Sequence, residues 1–232
     1  MNLSRRLEKI VELAPKSKAI ADIGTDHGFV ASELIRRGKA EKVIATDINP
    51  QPLEKAVAIA QRYSLEDQID YRLGAGLTVL EPGEVNGIII AGMGGAMMRE
   101  ILEDSPRVVK DLDFILLQPA QNPELVREYL YDQHYRILAE DLVREEDGRF
   151  YEYFKVAYDE SIWGFSHKPM DFALSPILIK KRHPLIRSYI LNAVQEMETV
   201  RSKLDLNYES SRKKDQELLE KKEYFLEELK WL

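Results

Sequence analysis

The chain of 232 residues contains no cysteine, which excludes disulfide bonds, thiolate metal sites and a cysteine nucleophile. Only four histidines are present, and their positions do not show metal-ligand spacing. Long apolar runs are also missing, since no stretch approaches the roughly 20 residues that span a bilayer and the chain does not begin with a signal-type segment. We therefore expect a cytoplasmic protein that binds neither a membrane nor a metal ion.

Positive charge is scarce, because 33 Lys and Arg face 40 Asp and Glu and give a net charge of −7. The deficit is uneven along the chain. Residues 1–160 hold 20 basic against 29 acidic residues, whereas residues 161–232 hold 13 against 11. A negative net charge argues against nucleic acid, but local basic patches decide phosphate contacts. One such patch consists of Lys180, Lys181 and Arg182.

Short apolar runs alternate with helical patterns from residue 18 to about residue 158, which predicts a Rossmann-like α/β fold with a mostly parallel seven-stranded sheet. The predicted strands are 18–23, 42–46, 68–73, 87–91, 113–118, 135–143 and 149–157. The predicted helices are 3–13, 29–37, 50–62, 95–104 and 122–132. An Asp-Gly turn joins the last two strands, so we expect that pair to be antiparallel.

The character of the chain changes after residue 160, and we expect two domains, 1–160 and 161–232. Residues 159–175 look irregular. Beyond Pro184, apolar residues recur at three- to five-residue spacing in two stretches separated by residues 207–210. This pattern predicts an antiparallel helical hairpin similar to a short coiled coil. The hairpin could hold a substrate or join two subunits, and a monomer or a weak homodimer both stay open.

The most informative motif spans residues 22–28, with the sequence Asp-Ile-Gly-Thr-Asp-His-Gly, between a predicted strand and a predicted helix. Gly24 lets the backbone approach a ligand, and Gly28 can adopt backbone angles that other residues avoid. The next predicted strand ends at Asp47, where a carboxylate can accept hydrogen bonds from both ribose hydroxyls. Together the two segments predict a nucleotide-like ligand.

The spacing of the glycines separates this loop from dinucleotide sites. Those sites carry Gly-x-Gly-x-x-Gly, whereas this loop reads Asp-x-Gly-x-x-x-Gly with a second acid, Asp26. Acids beside a pyrophosphate would repel it. They suit a ligand with a cationic amino-acid end, such as S-adenosylmethionine.

Two further glycine-rich segments follow the third and fourth predicted strands. Because ligands of open α/β sheets bind outside the carboxyl ends of the strands, we expect four segments to form one pocket. The predicted cofactor-binding residues are Asp22, Gly24, Thr25, His27, Gly28, Asp47, Ile48, Gly74, Ala75, Gly76, Ala91, Gly92 and Met93.

Four segments of the chain are together similar to a known family, the bacterial tRNA (adenine-22 N1)-methyltransferases. They are the motif at 22–28, Leu-Gly-Ala-Gly-Leu at 73–77, Ile-Ala-Gly-Met-Gly-Gly at 90–95 and Leu-Gln-Pro at 117–119. The resemblance covers the whole chain, including the hairpin. It implies a class I methyltransferase fold, S-adenosylmethionine as methyl donor and N1 of a tRNA adenine as acceptor.

The residues of the loops suggest roles within such a site. Asp26 is the predicted catalytic residue, because a carboxylate near the methyl group would stabilise the cation that N1-methylation creates on adenine. The roles of His27 and Phe29 stay open between ligand contact and packing. The predicted substrate-binding residues are Arg5, Arg6, Phe29, Gln118, Lys180, Lys181 and Arg182.

Several alternatives remain at this stage. The enzyme could methylate another RNA base or a small molecule. A nicotinamide-dependent oxidoreductase on a similar fold is disfavoured by the glycine spacing. A non-catalytic RNA-binding protein with a degenerate cofactor fold would bind neither cofactor.

Overall fold

The computed structural model describes residues 1–162 and 169–232, so residues 163–168 of the segment expected to be irregular lie outside the described residues. The chain divides into two compact units, Met1–Ser166 and His167–Leu232. The boundary expected from the sequence, after residue 160, falls slightly earlier. We describe the two units separately.

The amino-terminal unit is built on one seven-stranded sheet, as the sequence predicts. Its strands follow the order β3-β2-β1-β4-β5-β7-β6, in which β7 runs antiparallel to both of its neighbours and the other pairs are parallel. The strands are β1 Ser17–Ile23, β2 Ala40–Asp47, β3 Ile69–Leu73, β4 Gly87–Ala91, β5 Phe114–Gln118, β6 Tyr135–Arg144 and β7 Phe150–Tyr158. The strand order reverses between β1 and β4, and a crevice forms at such a switch point.

Six helices accompany this sheet: α1 Arg5–Leu13, α2 Phe29–Arg36, α3 Pro50–Arg62, α4 Gly95–Glu103, α5 Pro106–Lys110 and α6 Pro123–Asp132. Helix α1 begins after Ser4, whose hydroxyl accepts the backbone N–H of Leu7. Helix α5 was not predicted, because a helix of five residues is too short to show a regular spacing of apolar residues. A proline at the first position favours three of these helix starts, at Pro50, Pro106 and Pro123.

The core lies where the central strands are covered on both faces. Residues 88–90 of β4 and 115–117 of β5 are fully buried and apolar. Continuous apolar runs of this kind are typical of parallel strands with helices on both sides. The buried strands form a stiff platform, and their carboxyl ends define the edge at which the loops of the site begin.

One ionic cluster is buried in this unit. Arg127 of α6 donates to Glu140 of β6 and to Glu152 of β7, and the exposure of the three side chains does not exceed 3%. The guanidinium also lies 5.1 Å from the ring centroid of Phe154. The two ion pairs join α6 to the β6–β7 hairpin. Loss of one member would be costly, because it would leave a buried charge without compensation.

The carboxyl-terminal unit contains a 3₁₀ turn, Pro169–Phe172, and the helices α7 Pro176–Lys180, α8 Ile186–Arg201 and α9 Glu209–Leu229. Neither the 3₁₀ turn nor α7 was predicted. Ser175 caps α7, because its hydroxyl accepts the backbone N–H of Leu178. Arg201 pairs with Asp215, and the earlier Glu198 pairs with the later Lys222, so α8 and α9 are antiparallel.

The apolar face of this hairpin differs in part from the predicted one. The buried side chains of α8 and α9 are Ile186, Ile190, Met197 and Phe225. Val200 continues the apolar spacing from which the packed face is predicted, but it is 45% exposed. A spacing of three to five residues allows two neighbouring helix faces, and only tertiary contacts decide between them. None of the helices in the described parts of the chain has the length and apolarity to cross a membrane.

The buried cluster generates a stability prediction. We expect Arg127→Met to lower the free energy of unfolding by about 3–5 kcal/mol, because two carboxylates would lose their buried cation. The measurement is urea-induced unfolding followed by circular dichroism. Arg99→Met is the matched control, since the Arg99–Glu103 pair is exposed and worth about 0–1 kcal/mol. Equal losses in both variants would contradict the role given to the cluster.

Candidate active site

Backbone hydrogen bonds join the loops at the carboxyl edge of the sheet to the neighbouring strands. The N–H groups of Gly24 and Thr25 donate to the carbonyl of Thr46, at 2.8 and 2.9 Å. Gly74 donates to the carbonyl of Asp47 at 2.9 Å, and Gly92 donates to that of Gln118 at 2.9 Å. Each loop is therefore fixed to the end of the adjacent strand before it turns away.

Glycines allow the first loop to turn tightly. Gly24 has φ +72°, and a Cβ atom there would lie 2.3 Å from the terminal methyl carbon of Met93. Gly28 has φ +70°, and a Cβ atom there would lie 2.6 Å from Cβ of Ala56. Gly28 thus serves the packing of α2 against α3, whereas Gly24 keeps the β1 loop in contact with the β4 loop.

Asp22, at the end of β1, is the buried acid of the site. Its carboxylate accepts the hydroxyl of Thr25 at 2.6 Å and a backbone N–H from Ala31 in the first turn of α2. Burial raises the pKa of Asp22 to about 6, and the two hydrogen bonds act in the opposite direction. A cationic ligand group would relieve the cost of ionising this carboxylate.

Asp26 has the opposite environment. Its side chain is 73% exposed, and its backbone adopts φ +50°, which is uncommon for a residue other than glycine. His27 lies beside it, with Nε2 3.6 Å from Oδ1 of Asp26, and stacks on Phe29 at a centroid distance of 5.6 Å. Both rings line the cavity, so the structure places His27 and Phe29 at its wall rather than in the core.

Asp47 ends β2 with its side chain at the same edge. Its Oδ1 accepts the N–H of Asn49 at 2.9 Å, which fixes the carboxylate in a local turn. The following Ile48 is 66% exposed. An exposed apolar side chain next to a fixed carboxylate suits a ligand that combines a ribose with a flat apolar ring.

These loops enclose a cavity of about 340 Å³, within the usual range for small-ligand sites. Its walls are Arg6, Leu7, Asp22, Gly24, Thr25, Asp26, His27, Phe29, Val30, Asp47, Ala91, Gly92 and Met93. The predicted cofactor-binding residues that do not line this cavity are Gly28, Ile48, Gly74, Ala75 and Gly76. Of these, Gly74 supports Asp47 through the backbone bond described above.

Arg6 and Gln118 form a pair that the sequence analysis did not foresee. Nη1 of Arg6 donates to Oε1 of Gln118 at 2.6 Å, and Nε2 of Gln118 donates to the carbonyl of Pro119 at 2.6 Å. Gln118 is fully buried with both ends of its amide engaged. It therefore holds Arg6 at the cavity wall and does not itself line the cavity, although the sequence predicts that it binds the substrate.

The other predicted substrate residues lie elsewhere. Arg5 is exposed, contacts the carbonyl of Arg144 at 3.5 Å and lines neither this cavity nor the adjoining one described below. Three of them, Lys180, Lys181 and Arg182, are exposed and belong to the carboxyl-terminal unit, at the last residue of α7 and directly after it.

Leu7 and Val30 were missed as wall residues, because apolar positions on helices α1 and α2 look like ordinary core positions in a sequence. A group of three or more histidine or acidic side chains able to hold a metal ion is absent from the residues that the structure describes.

The arrangement fits a zwitterionic nucleoside ligand. Three carboxylates and one guanidinium surround the cavity, and the amino-terminal end of α2, which no side chain caps, begins at its wall. A helix N-terminus favours a carboxylate, and the buried Asp22 favours an ammonium group. S-adenosylmethionine combines both groups with a ribose and a purine, so the residues present fit this cofactor.

Comparisons with known proteins agree with this geometry. A family profile described as a methyltransferase domain matches residues 3–154. The tRNA (adenine(22)-N(1))-methyltransferase of Bacillus subtilis is 35% identical over 152 residues, which cover 66% of this chain and 63% of that protein. The aligned segment thus spans less than two thirds of this relative.

Solved structures match over nearly the whole chain. The m1A22 tRNA methyltransferase of B. subtilis superposes with a TM-score of 0.83 and 29% identity, covering 98% of this chain and 99% of that one. A Streptococcus pneumoniae protein assigned as a tRNA (m1A22) methyltransferase, in complex with S-adenosyl-L-methionine, gives a TM-score of 0.84 and 27% identity, covering 98% and 100%.

The resemblance expected from the loop motifs is confirmed by these matches. The TM-scores above 0.8 over nearly the whole chain show that the fold is shared with these proteins. This chain belongs to the methyltransferase-domain family, with the fold of the class I methyltransferases.

Proposed function

We propose that this chain is an S-adenosylmethionine-dependent methyltransferase that modifies N1 of adenine 22 in tRNA. The observation that carries the proposal is the acid-lined cavity at the switch point, built by the loop from Asp22 to Gly28. Structural relatives that align over the whole chain support the choice of tRNA. Such a substrate implies action in the cytoplasm.

Two of the three acids of the cavity have distinct parts in holding the cofactor. Asp47 would accept hydrogen bonds from the ribose hydroxyls. Asp22 would face the ammonium group, and the N-terminus of α2 would face the carboxylate of the methionine moiety. When bound, S-adenosylmethionine supplies an electrophilic methyl group.

The acceptor needs orientation more than activation. N1 of neutral adenine carries a lone pair, so no general base is required to create the nucleophile. The protein must take the base out of its stack, align N1 with the methyl group and exclude water. Methylation leaves a positive charge on the adenine ring. Asp26 is the exposed acid of the cavity wall, and its carboxylate would stabilise that charge or accept a proton from the exocyclic amine.

A direct test is methylation of tRNA that lacks this modification, followed by nucleoside mass spectrometry and mapping of the modified position. We expect 1-methyladenosine at position 22 in the presence of S-adenosylmethionine, and none with the double variant Asp22→Asn, Asp47→Asn. Methyl transfer to another base or position would refute the substrate assignment.

The raised pKa of Asp22 generates a prediction about pH. The ionised carboxylate binds an ammonium group, so affinity for S-adenosylmethionine should rise as pH increases through about 6 and level off above pH 7. Below that pKa we expect a loss of up to roughly tenfold per pH unit. The measurement is titration calorimetry between pH 5 and 8.

Two variants test the assignment of this pH dependence. Asp22→Asn should bind weakly and with a flat profile. His27→Gln, which removes the histidine of the cavity wall, should keep the dependence. If the dependence disappears with His27→Gln and persists with Asp22→Asn, Asp22 does not bind the ammonium group.

The exposure of Asp26 generates a kinetic prediction. Asp26→Asn keeps the volume and tolerates positive φ but removes the charge. We expect the single-turnover rate of methyl transfer to fall by about 10²–10⁴-fold with little change in cofactor affinity. Asp67→Asn, an exposed acid in the turn before β3, is the control and should leave the rate unchanged. A normal rate for Asp26→Asn would remove this residue from the chemistry.

The basic patch at the carboxyl end of α7 generates a prediction about RNA. Replacing Lys180, Lys181 and Arg182 with glutamine should weaken tRNA binding and reduce the slope of log K against log salt by about 2 units, because fewer counterions are released. The same change at Arg212, Lys213 and Lys214 removes equal charge from α9 and should have a smaller effect. An unchanged slope, with loss of a dimer in sedimentation, would favour the subunit-joining alternative.

A further inference from the structure

A second cavity, of about 520 Å³, lies beside the one described above. It is formed by the start of α1, the β4 loop and the turn between β6 and β7. Its walls include Ser4, Arg6, Gly92, Ala120, Arg149 and Tyr151. Tyr151 comes from β7, far from the loop motifs in sequence, and no pattern in the chain marks it.

The two cavities share the walls Arg6 and Gly92. Gly92 has φ +78° and no side chain, and a Cβ atom there would lie 3.5 Å from Nη1 of Arg6. The two cavities therefore adjoin at the backbone of the β4 loop and the guanidinium of Arg6. A molecule in the second cavity would approach a ligand in the first where the two cavities meet.

Arg6 is a fixed wall. Besides the bond from its guanidinium to Gln118, its backbone N–H donates to Glu145 at 2.7 Å, and its carbonyl accepts the hydroxyl of Tyr153 at 3.0 Å. The residue is thus held by β5, β7 and the β6–β7 turn together. Such a wall can set the position of a planar ligand.

Tyr151 offers an aromatic surface in the second cavity. The guanidinium carbons of Arg6 and Arg149 lie 5.6 and 5.8 Å from its ring centroid. Arg149 is 71% exposed and makes a salt bridge with Asp147 in its own turn. Its guanidinium can leave the ring without breaking a contact to the core, which would free the ring for another flat group.

The charges around this cavity favour a base over a phosphate. Three acids of the turn, Glu145, Glu146 and Asp147, line it together with two arginines. Carboxylates repel a phosphodiester but tolerate a neutral heterocycle, and they suit a heterocycle that becomes cationic on methylation. Aromatic and guanidinium planes are the surfaces on which extruded RNA bases stack.

We propose that the second cavity receives the acceptor adenine, with Tyr151 as its stacking partner and Arg6 as the positioning residue that sets its distance from the cofactor. This inference rests on the proposed function. It assigns the base to a cavity separate from that of the cofactor, so the two binding events can be disturbed independently.

The test compares Tyr151→Ala, Tyr151→Phe and Tyr63→Ala in the full chain. Tyr63 is a matched control, because it is also a half-buried tyrosine beneath an arginine and packs on the same apolar cluster, but it lines neither cavity. The measurements are S-adenosylmethionine affinity, the single-turnover rate with tRNA and the KM for tRNA.

We expect Tyr151→Ala to reduce kcat/KM for tRNA by about 5- to 150-fold, the range that corresponds to one lost base–aromatic stack. Cofactor affinity should stay within about twofold of the wild type, which also shows that the variant is folded. Tyr151→Phe keeps the ring and should react almost normally, as should Tyr63→Ala.

Different failures have different meanings. Normal kinetics of Tyr151→Ala, in an enzyme whose wild type methylates tRNA, would overturn the base pocket and leave the proposed function intact. An equal loss in Tyr63→Ala, or a loss of cofactor affinity in Tyr151→Ala, would also overturn it. A wild type that binds S-adenosylmethionine but does not methylate tRNA would overturn both proposals.

Discussion

The site depends on a row of backbone hydrogen bonds across the carboxyl edge of the sheet. N–H groups that follow β1, β3 and β4 donate to the last carbonyls of β2 and β5, so loops of different sequence share one rigid frame. Unpaired backbone groups at this buried edge would cost free energy, and the loops satisfy them. Gly24 and Gly92 then turn away with positive φ, which opens the space for the cavity. The position of each functional side chain follows from this frame.

The sequence predicted those parts of the site that local chemistry dictates. Asp22, Gly24 and Asp47 stand at strand ends, where an apolar run followed by an acid or a glycine is visible within a few residues. The seven strands followed from the same alternation. Pairs that meet only in three dimensions could not be predicted. Arg6 and Gln118 are separated by 112 positions, and neither shows a pattern that points to the other.

Under the proposed function, the distribution of charge would let an acidic unit act on RNA. The acids of the two cavities lie where a cationic cofactor and a base are expected, and carboxylates keep the phosphodiester chain out of both. Phosphate contacts must then be made outside the cavities. The carboxyl-terminal unit has the more balanced composition and exposes Lys180 and Arg182. The two proposals thus place binding of the RNA backbone and recognition of the base on different surfaces.

One loop supplies two carboxylates with divergent environments. Asp22 is buried against Thr25 and the first turn of α2, whereas Asp26, four residues later, is exposed. Gly24, with its positive φ, lies between them, and both acids line the cavity, the first buried and the second open to solvent. Two carboxylates that differ in solvation can serve different tasks at the same pH. The buried one, with a pKa of about 6, gains most from a bound cation, and the exposed one remains available to a charge that develops on the acceptor.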